Sequence, residues 1–182
     1  MLRPRLFHAF LLFILITPVL QLGARETTVV LLRHAERESL WDGDSPLSLA
    51  GQRRIQLLVP LLEAFQPTTL YTSDLARTQQ TLAPLAARLG LKPLIRSKGD
   101  SATLPAEILR DHRGETLVVC WHHDLMKKLV RGLGVKGAVP YWSLDTYDWL
   151  WVVHVPDQGE ASLEQRMQGL SAPAEARSPQ GR

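Results

Sequence analysis

The segment VVLLRHAERE, residues 29–38, joins a run of valine and leucine directly to arginine and histidine. With the two threonines before it, segment 27–33 has the length and the β-branched composition of a buried strand. Burying a charged group costs free energy unless the group has a partner or a ligand. The segment therefore predicts a buried strand whose carboxyl end carries a site at Arg33 and His34. The alternative is an ion pair between Arg33 and Glu36, with His34 merely packed.

Strand patterns and helix patterns alternate along the chain after this first strand. Further strands are predicted over 68–73, 92–96, 116–121 and 147–155, the last of them as a candidate edge strand. Apolar residues at helical spacing lie between these strands. The alternation predicts an α/β fold, a three-layer sandwich with a mostly parallel central sheet and helices on both faces.

The two ends of the chain differ in composition from its centre. Residues 1–24 begin with two arginines and continue into an apolar stretch followed by small residues, which is typical of a signal peptide or an N-terminal anchor. Residues 25–157 are predicted to form one domain, and 158–182 a flexible tail with a candidate terminal helix at 162–170. We therefore expect a periplasmic or secreted protein, with a membrane-anchored protein facing the periplasm as the alternative.

The composition excludes some classes of protein. The net charge is +3 and the Lys and Arg residues form no stripe, so the sequence lacks a nucleic-acid-binding signature. Cys120 is the only cysteine, so an exported chain would have no internal disulfide and would depend on its hydrophobic core. Cys120 lies in an apolar run, which indicates a small core residue.

Basic side chains follow three of the predicted strands at the point where each strand ends. Arg33 and His34 follow the first strand, Arg77 lies in the first turn of the helix after the second, and His122 follows the fourth. Ligands bind at the carboxyl ends of strands in α/β sheets, so these side chains are expected to converge on one rim. Arginine binds two phosphate oxygens at once, and histidine can act as a nucleophile. The pattern indicates a site for a compact dianion such as phosphate.

Four segments occur in order along the chain: LLRHAE, SPLSLAGQ, YTSDLARTQQTL and TLVVCWHHDLM. The first resembles the Arg-His-Gly/Ala-Glu signature of the histidine phosphatase superfamily, and the second its Pro-Leu-Ser/Thr-x-x-Gly turn. The third resembles its Ser-x-x-x-Arg-Ala/Thr-x-Gln-Thr segment, and the fourth the strand that carries its second catalytic histidine. The resemblance covers roughly residues 28–155 and implies the phosphoglycerate-mutase-like fold.

The resemblance also implies roles for individual side chains. His34 would attack phosphorus and become phosphorylated, and Arg33, Arg77 and His122 would bind the phosphoryl oxygens. His123 is expected to have a structural or gating role.

The proton donor is the least determined of the implied roles. Many members of the superfamily place a carboxylate after the third strand, which makes Asp100 the first candidate and Glu107 the second. Some short members lack an evident acid, so the third alternative is that neither residue has this role. The resemblance implies no metal and no cofactor, and the adjacent pair His122-His123 is better suited to opposite faces of a strand than to one metal ion.

The expected function is metal-independent hydrolysis of an exported or cell-envelope phosphomonoester, through a phosphohistidine at His34. The expected partner is a small-molecule or glycolipid phosphoester, with no nucleic acid and with a membrane only through an uncleaved N-terminal segment. The alternatives are a phosphoglycerate-mutase-like phosphotransferase and a non-catalytic phosphate-binding protein. A phosphohistidine-protein phosphatase agrees with the small size but poorly with export.

Overall fold

The structure is a computed structural model that describes residues 26–170, so the predicted signal peptide or anchor at 1–24 lies outside the described residues. Strands and helices alternate as predicted. The elements are β1 (Thr27–Arg33), α1 (Leu49–Glu63), β2 (Thr69–Ser73), α2 (Ala76–Leu89), β3 (Leu94–Arg96), α3 (Leu104–Asp111), β4 (Thr116–Trp121), α4 (Met126–Gly132), β5 (Trp149–Val155) and β6 (Ser162–Met167). Two 3₁₀ helices, Lys98–Ala102 and His123–Leu125, precede α3 and α4. Within 26–170 no helix has the length and apolar character needed to cross a membrane.

The six strands form one sheet in the order β3-β2-β4-β1-β5-β6. The pairs β2–β3, β2–β4 and β1–β4 are parallel, whereas β5 is antiparallel to both β1 and β6. The predicted α/β fold with a mostly parallel central sheet is therefore confirmed.

Helices cover both faces of the sheet, and each face has its own hydrophobic core. Val29 and Leu31 of β1 belong to the core shared with α3 and α4, while Val30 and Leu32 belong to the core shared with α1 and α2. Successive side chains of a strand point to opposite faces, so the unbroken Val and Leu run of β1 fills both cores.

The pairing of β1 with β4 sets the position of the candidate site. Arg33 lies beside Trp121 in the parallel register, and the His34 backbone N–H donates to the Trp121 carbonyl oxygen at 3.1 Å. The residues that follow, His34 and His122, leave adjacent central strands at the same edge of the sheet.

The C-terminal part of the domain differs from the prediction. Residues 162–167 form strand β6 and not a terminal helix, and they pair with β5, which is therefore not an edge strand. The predicted flexible tail, 158–182, thus contains an ordered strand; its last residues, 171–182, lie outside the described part of the chain. The side chains of β6 are mostly exposed, so their hydrophobic pattern favours neither a strand nor a helix. Hydrogen bonds between its backbone and β5 stabilise the strand.

Helix α1 approaches the segment after β1 at Gly51. Ser48 caps the helix, because its hydroxyl oxygen accepts a hydrogen bond from the Gly51 N–H at 3.2 Å. A Cβ on Gly51 would overlap the Glu36 carbonyl oxygen and lie 3.1 Å from the Glu36 nitrogen. The glycine therefore allows close packing of α1 against the backbone two residues beyond His34.

The Gly51→Ala variant is expected to lose about 1–3 kcal/mol of unfolding free energy, because the added methyl group forces two packed backbone segments apart. Denaturant unfolding measures the change. The matched control is Gly137→Ala, where a Cβ would meet no atom within 4 Å. Equal stability of the two variants would contradict the packing argument.

Candidate active site

The structure brings His34, Arg33, Arg77 and His122 together at the carboxyl ends of the parallel strands. The rings of His34 and His122 have centroids 5.5 Å apart, and an Nη of Arg77 lies 3.5 Å from His122 Nδ1. All four residues are at most 5% exposed. The predicted convergence of side chains from three strands is therefore what the structure shows.

The His34 ring is held in one orientation by the backbone. Its Nδ1 lies 2.7 Å from the Ala35 carbonyl oxygen, which can only accept, so Nδ1 carries the proton and Nε2 has a free lone pair. Burial lowers the pKa of His34 to about 3, and the charges of Arg33 and Arg77 act in the same direction. The ring is therefore neutral near pH 7, which is the form that a nucleophile requires.

The second histidine is fixed by a hydroxyl group from the neighbouring strand. His122 Nε2 lies 2.8 Å from Ser73 Oγ, and Ser73 is the last residue of β2. Burial lowers the pKa of His122 to about 2, helped by the proximity of His34 and Arg77. Leu75 is the N-cap of α2, so the Ser73 hydroxyl does not cap this helix and is a partner of His122.

The two arginines are each oriented by a loop carbonyl oxygen. Arg77 donates to the Gly43 carbonyl oxygen at 2.9 Å. Arg33 donates to the carbonyl oxygens of Leu144 and Thr146 and to the Tyr147 hydroxyl, and its guanidinium carbon lies 3.9 Å from the centre of the Tyr147 ring. Burial lowers the pKa of both arginines, although such a group stays charged at neutral pH.

A third arginine, Arg37, belongs to the same charge cluster and was not identified from the sequence. Its charge lowers the pKa values of Arg33, His34 and Arg77. The Nε atoms of Arg33, Arg37 and Arg77 are all buried, and no described residue accepts a hydrogen bond from them. Buried donors without an acceptor are costly, and a bound anion would remove that cost. The available signal was the spacing of Arg37 three residues after His34.

Glu36 contacts a different arginine from the one considered in the sequence. Its carboxylate oxygens accept from Arg54 Nε at 2.9 and 3.0 Å, and Arg54 also donates to the Gln168 side-chain oxygen at 3.2 Å. The alternative ion pair between Arg33 and Glu36 is therefore absent. Arg33 remains available to the site, and Glu36 fixes the segment after His34 to α1.

The structure places the two candidate proton donors in local interactions. Asp100 Oδ2 accepts from the Ser97 N–H at 3.1 Å in a capping box of the 3₁₀ helix. Glu107 binds Arg96 Nε at 3.0 Å and accepts from the Tyr71 hydroxyl at 2.8 Å. No described contact joins either carboxylate to His34 or His122.

A third carboxylate, Asp124, is electrostatically coupled to the cluster and was also missed. Its charge raises the pKa values of both Arg33 and Arg77, and its Oδ2 lies 3.4 Å from the Lys98 ammonium. Asp124 follows the pair His122-His123 directly in the sequence. That adjacency was the signal that could have identified it.

Cys120, two tryptophans and His154 lie outside the charge cluster and have structural contacts. Cys120 is fully buried, and burial raises the pKa of its thiol, which makes it an unreactive core residue. Trp142 and Trp151 are at most 2% exposed and their ring centres are 4.7 Å apart. His154 contacts Glu26 through Nδ1, away from the cluster. Within residues 26–170 no group of His, Cys, Asp and Glu side chains is arranged to hold a metal ion.

The site thus combines a neutral, oriented imidazole with three guanidinium groups that have free buried donors. The model of the histidine phosphatase superfamily (branch 1) matches residues 29–99, which include His34, Arg33 and Arg77. Residues 29–99 thus match the family predicted from the sequence segments, and the predicted fold is confirmed.

Two proteins of known or probable enzyme activity are similar to part of this chain. It is 43% identical over 67 residues to an 8-oxo-(d)GTP phosphatase of Mycolicibacterium smegmatis, a match that covers 34% of this chain and 21% of that protein. It is 39% identical over 70 residues to a probable phosphoglycerate mutase GpmB of Yersinia enterocolitica, covering 35% and 33%. The matched segments thus span a third or less of these relatives.

A solved histidine phosphatase structure extends the similarity to most of the described domain. The protein histidine phosphatase SixA, in complex with tungstate, has a TM-score of 0.59 and 22% identity, and the match covers 78% of this chain and 97% of that one. At this identity the comparison shows a common fold.

The two buried, neutral histidines are expected to make the stability of this domain sensitive to acid. In the unfolded chain a histidine has a pKa of about 6.5, well above the values of His34 and His122 in the fold. Below about pH 6.5 the unfolded state therefore binds protons that the folded state does not. The free energy of unfolding should fall with falling pH, by at most about 2.7 kcal/mol per pH unit for these two groups. Denaturant unfolding between about pH 7 and pH 5 measures the slope.

Substitution of the histidines tests the origin of this slope. His122→Asn should remove about half of it, whereas His154→Asn, outside the cluster, should retain it. A wild-type stability that is constant over this range would contradict the assignment of neutral buried rings.

Proposed function

We propose that the protein is a metal-independent phosphomonoester hydrolase that works through a phosphohistidine on His34. The observation that carries the proposal is the state of the His34 ring: neutral, with Nδ1–H bound to a carbonyl oxygen and Nε2 free beside Arg33 and Arg77. A non-catalytic phosphate-binding protein would need the arginines but not an oriented, neutral imidazole.

The proposed reaction has two in-line steps. His34 Nε2 forms a bond to phosphorus while the bond from phosphorus to the ester oxygen breaks, and that oxygen takes a proton from an acid. Arg33, Arg77 and His122 bind the phosphoryl oxygens, and Arg37 adds positive charge that stabilises the transition state. Water then attacks phosphorus and gives a proton to the conjugate base of that acid. The bond from phosphorus to Nε2 breaks, its electron pair returns to Nε2, and phosphate is released. The unpaired Nε donors of the arginines support this assignment.

The acid that protonates the leaving oxygen is proposed to be Asp124 in preference to Asp100. The negative charge of Asp124 raises the pKa values of both Arg33 and Arg77, so it is coupled to the phosphate-binding arginines. Asp100, in contrast, caps a 3₁₀ helix. A proton donor matters most when the leaving group is a poor one.

The expected result is that Asp124→Asn lowers kcat for an alkyl phosphate by about 10²-fold or more and has a smaller effect on 4-nitrophenyl phosphate, whose leaving group needs little protonation. The matched variant Asp100→Asn should leave the ratio of the two rates unchanged. A change of that ratio in Asp100→Asn alone would return the role to Asp100.

The substrate is proposed to be an exported or cell-envelope phosphoester, and the protein to act in the periplasm or outside the cell. The support is the signal-like composition of residues 1–24.

A phosphoglycerate-mutase-like phosphotransferase is the second candidate, because a relative at 39% identity over 70 residues bears that name. Transfer of phosphate between two sugar acids without release of phosphate would favour it.

The His34→Asn variant is expected to lose at least about 10³-fold in kcat/KM for 4-nitrophenyl phosphate, because the nucleophile is removed. The control His154→Asn should keep wild-type activity, and EDTA should change neither result. Acid-quenched wild-type protein should contain a phosphohistidine that His34→Asn lacks. Full activity of a folded His34→Asn variant, or loss of activity in EDTA, would contradict the mechanism.

A further inference from the structure

The two loops that orient the candidate phosphate-binding arginines also carry large apolar side chains on the protein surface. The loop between β1 and α1 supplies the Gly43 carbonyl oxygen to Arg77, and the loop between α4 and β5 supplies the Leu144 carbonyl oxygen to Arg33. Trp41 in the first loop is 97% exposed, and Tyr141 and Leu144 in the second are 77% and 49% exposed.

This placement is not an even scatter over the surface. Of the eight exposed large hydrophobic side chains in the described part of the chain, four lie in these two loops: Leu40, Trp41, Tyr141 and Leu144. Single exposed apolar residues are common, but several of them in the two loops that orient the arginines of a polar site indicate a binding surface. Small-molecule sites typically combine a few polar anchors with an apolar lining.

The first loop holds its indole at the surface through backbone hydrogen bonds. The Ser39 N–H donates to Ser45 Oγ at 2.8 Å, and the Trp41 N–H donates to Ser39 Oγ at 3.2 Å. Ser45 itself is fully buried. The loop is therefore tied at its base, and Trp41 is not the side chain of an unanchored segment.

The charges of these loops select among possible occupants. Both loops carry more acidic than basic side chains. The loop between β1 and α1 has four carboxylates, Glu36, Glu38, Asp42 and Asp44, and one arginine, Arg37, and the loop between α4 and β5 has Asp145, Asp148 and one lysine, Lys136. Acidic loops repel an anionic membrane surface, which recruits proteins through basic residues. They also disfavour a leaving group that carries further negative charge, and they leave an uncharged apolar group as the best match.

We propose that these loops form an apolar rim, made of Trp41, Tyr141 and Leu144, that binds the leaving group of a phosphomonoester with a large uncharged hydrocarbon part. This inference rests on the proposed phosphatase function and adds its substrate class. The arginines and histidines bind the phosphoryl group, and the rim binds the hydrocarbon as it is removed from water. Discrimination then comes from KM more than from kcat, because the rim does not touch the reacting atoms.

The test compares linear alkyl phosphates from ethyl to octyl phosphate with the full-length protein, by measuring phosphate release. In the wild type, kcat/KM is expected to be at least about tenfold higher for octyl than for ethyl phosphate. Trp41→Ala should remove most of this ratio through KM, and Trp41→Phe should retain most of it. The control Met167→Ala, at a side chain 59% exposed on β6, should leave the ratio at its wild-type value.

The outcomes separate this inference from the proposed function. Hydrolysis of all the esters with no dependence on chain length, or an unchanged ratio in Trp41→Ala, would overturn the apolar rim and leave the phosphatase proposal intact. Absence of hydrolysis of every ester by the folded protein would contradict the function itself. Sedimentation tests whether the apolar rim instead binds a second copy of the chain. A dimeric wild type, together with a monomeric Trp41→Ala variant whose octyl-to-ethyl ratio of kcat/KM is unchanged, would overturn the inference.

Discussion

The parallel pairing of β1 with β4 is the constraint on which the site depends. The two strands lie side by side in the middle of the sheet, and their register brings His34 and His122 to the same edge. A strand slipped by one residue would turn every side chain to the opposite face, so each residue of the Val and Leu run would enter the other core, where it does not fit the packing. The two hydrophobic cores therefore fix the register, and the register fixes the distance between the two histidines.

Burial of several positive charges at the site destabilises the folded state, and the packing of the rest of the domain must offset this free energy. Burial and the charge of Arg37 lower the pKa values of Arg33 and Arg77, and the Nε donors of all three arginines are buried without acceptors among the described residues. Loop carbonyl oxygens and the Tyr147 ring satisfy part of this charge, and a bound phosphoryl group would satisfy the remainder. Because the arginines are already held together before the phosphoryl group binds, little rearrangement is needed on binding. The site is in this sense preorganised.

The sequence predicted the elements that have a strong hydrophobic pattern and are buried in the core. The strand at 116–121 was placed at its observed bounds, because its apolar run is short and unambiguous. Residues 162–167 were misassigned because their exposed side chains have no clear period, and pairing with β5 is a property of the tertiary structure. Arg37 and Asp124 were missed for a related reason: a charged residue in a loop usually faces solvent, and only the fold shows which ones face a common centre. The pairing of Glu36 with Arg54 likewise depended on how α1 packs.

The partners of β1 are spread over the whole length of the domain. The carbonyl oxygens that orient Arg33 come from residues 144 and 146, and Gln168 holds the arginine that binds Glu36. Strand β1 is among the first parts of the domain to be synthesised. The partners of its charged end, however, leave the ribosome only when nearly all of the domain has been made. The strand partners of the apolar half of β1, which are β4 and β5, are also distant from it in the sequence. The scaffold and the charged end of β1 therefore both depend on contacts of large sequence separation, whose loop-closure cost slows folding.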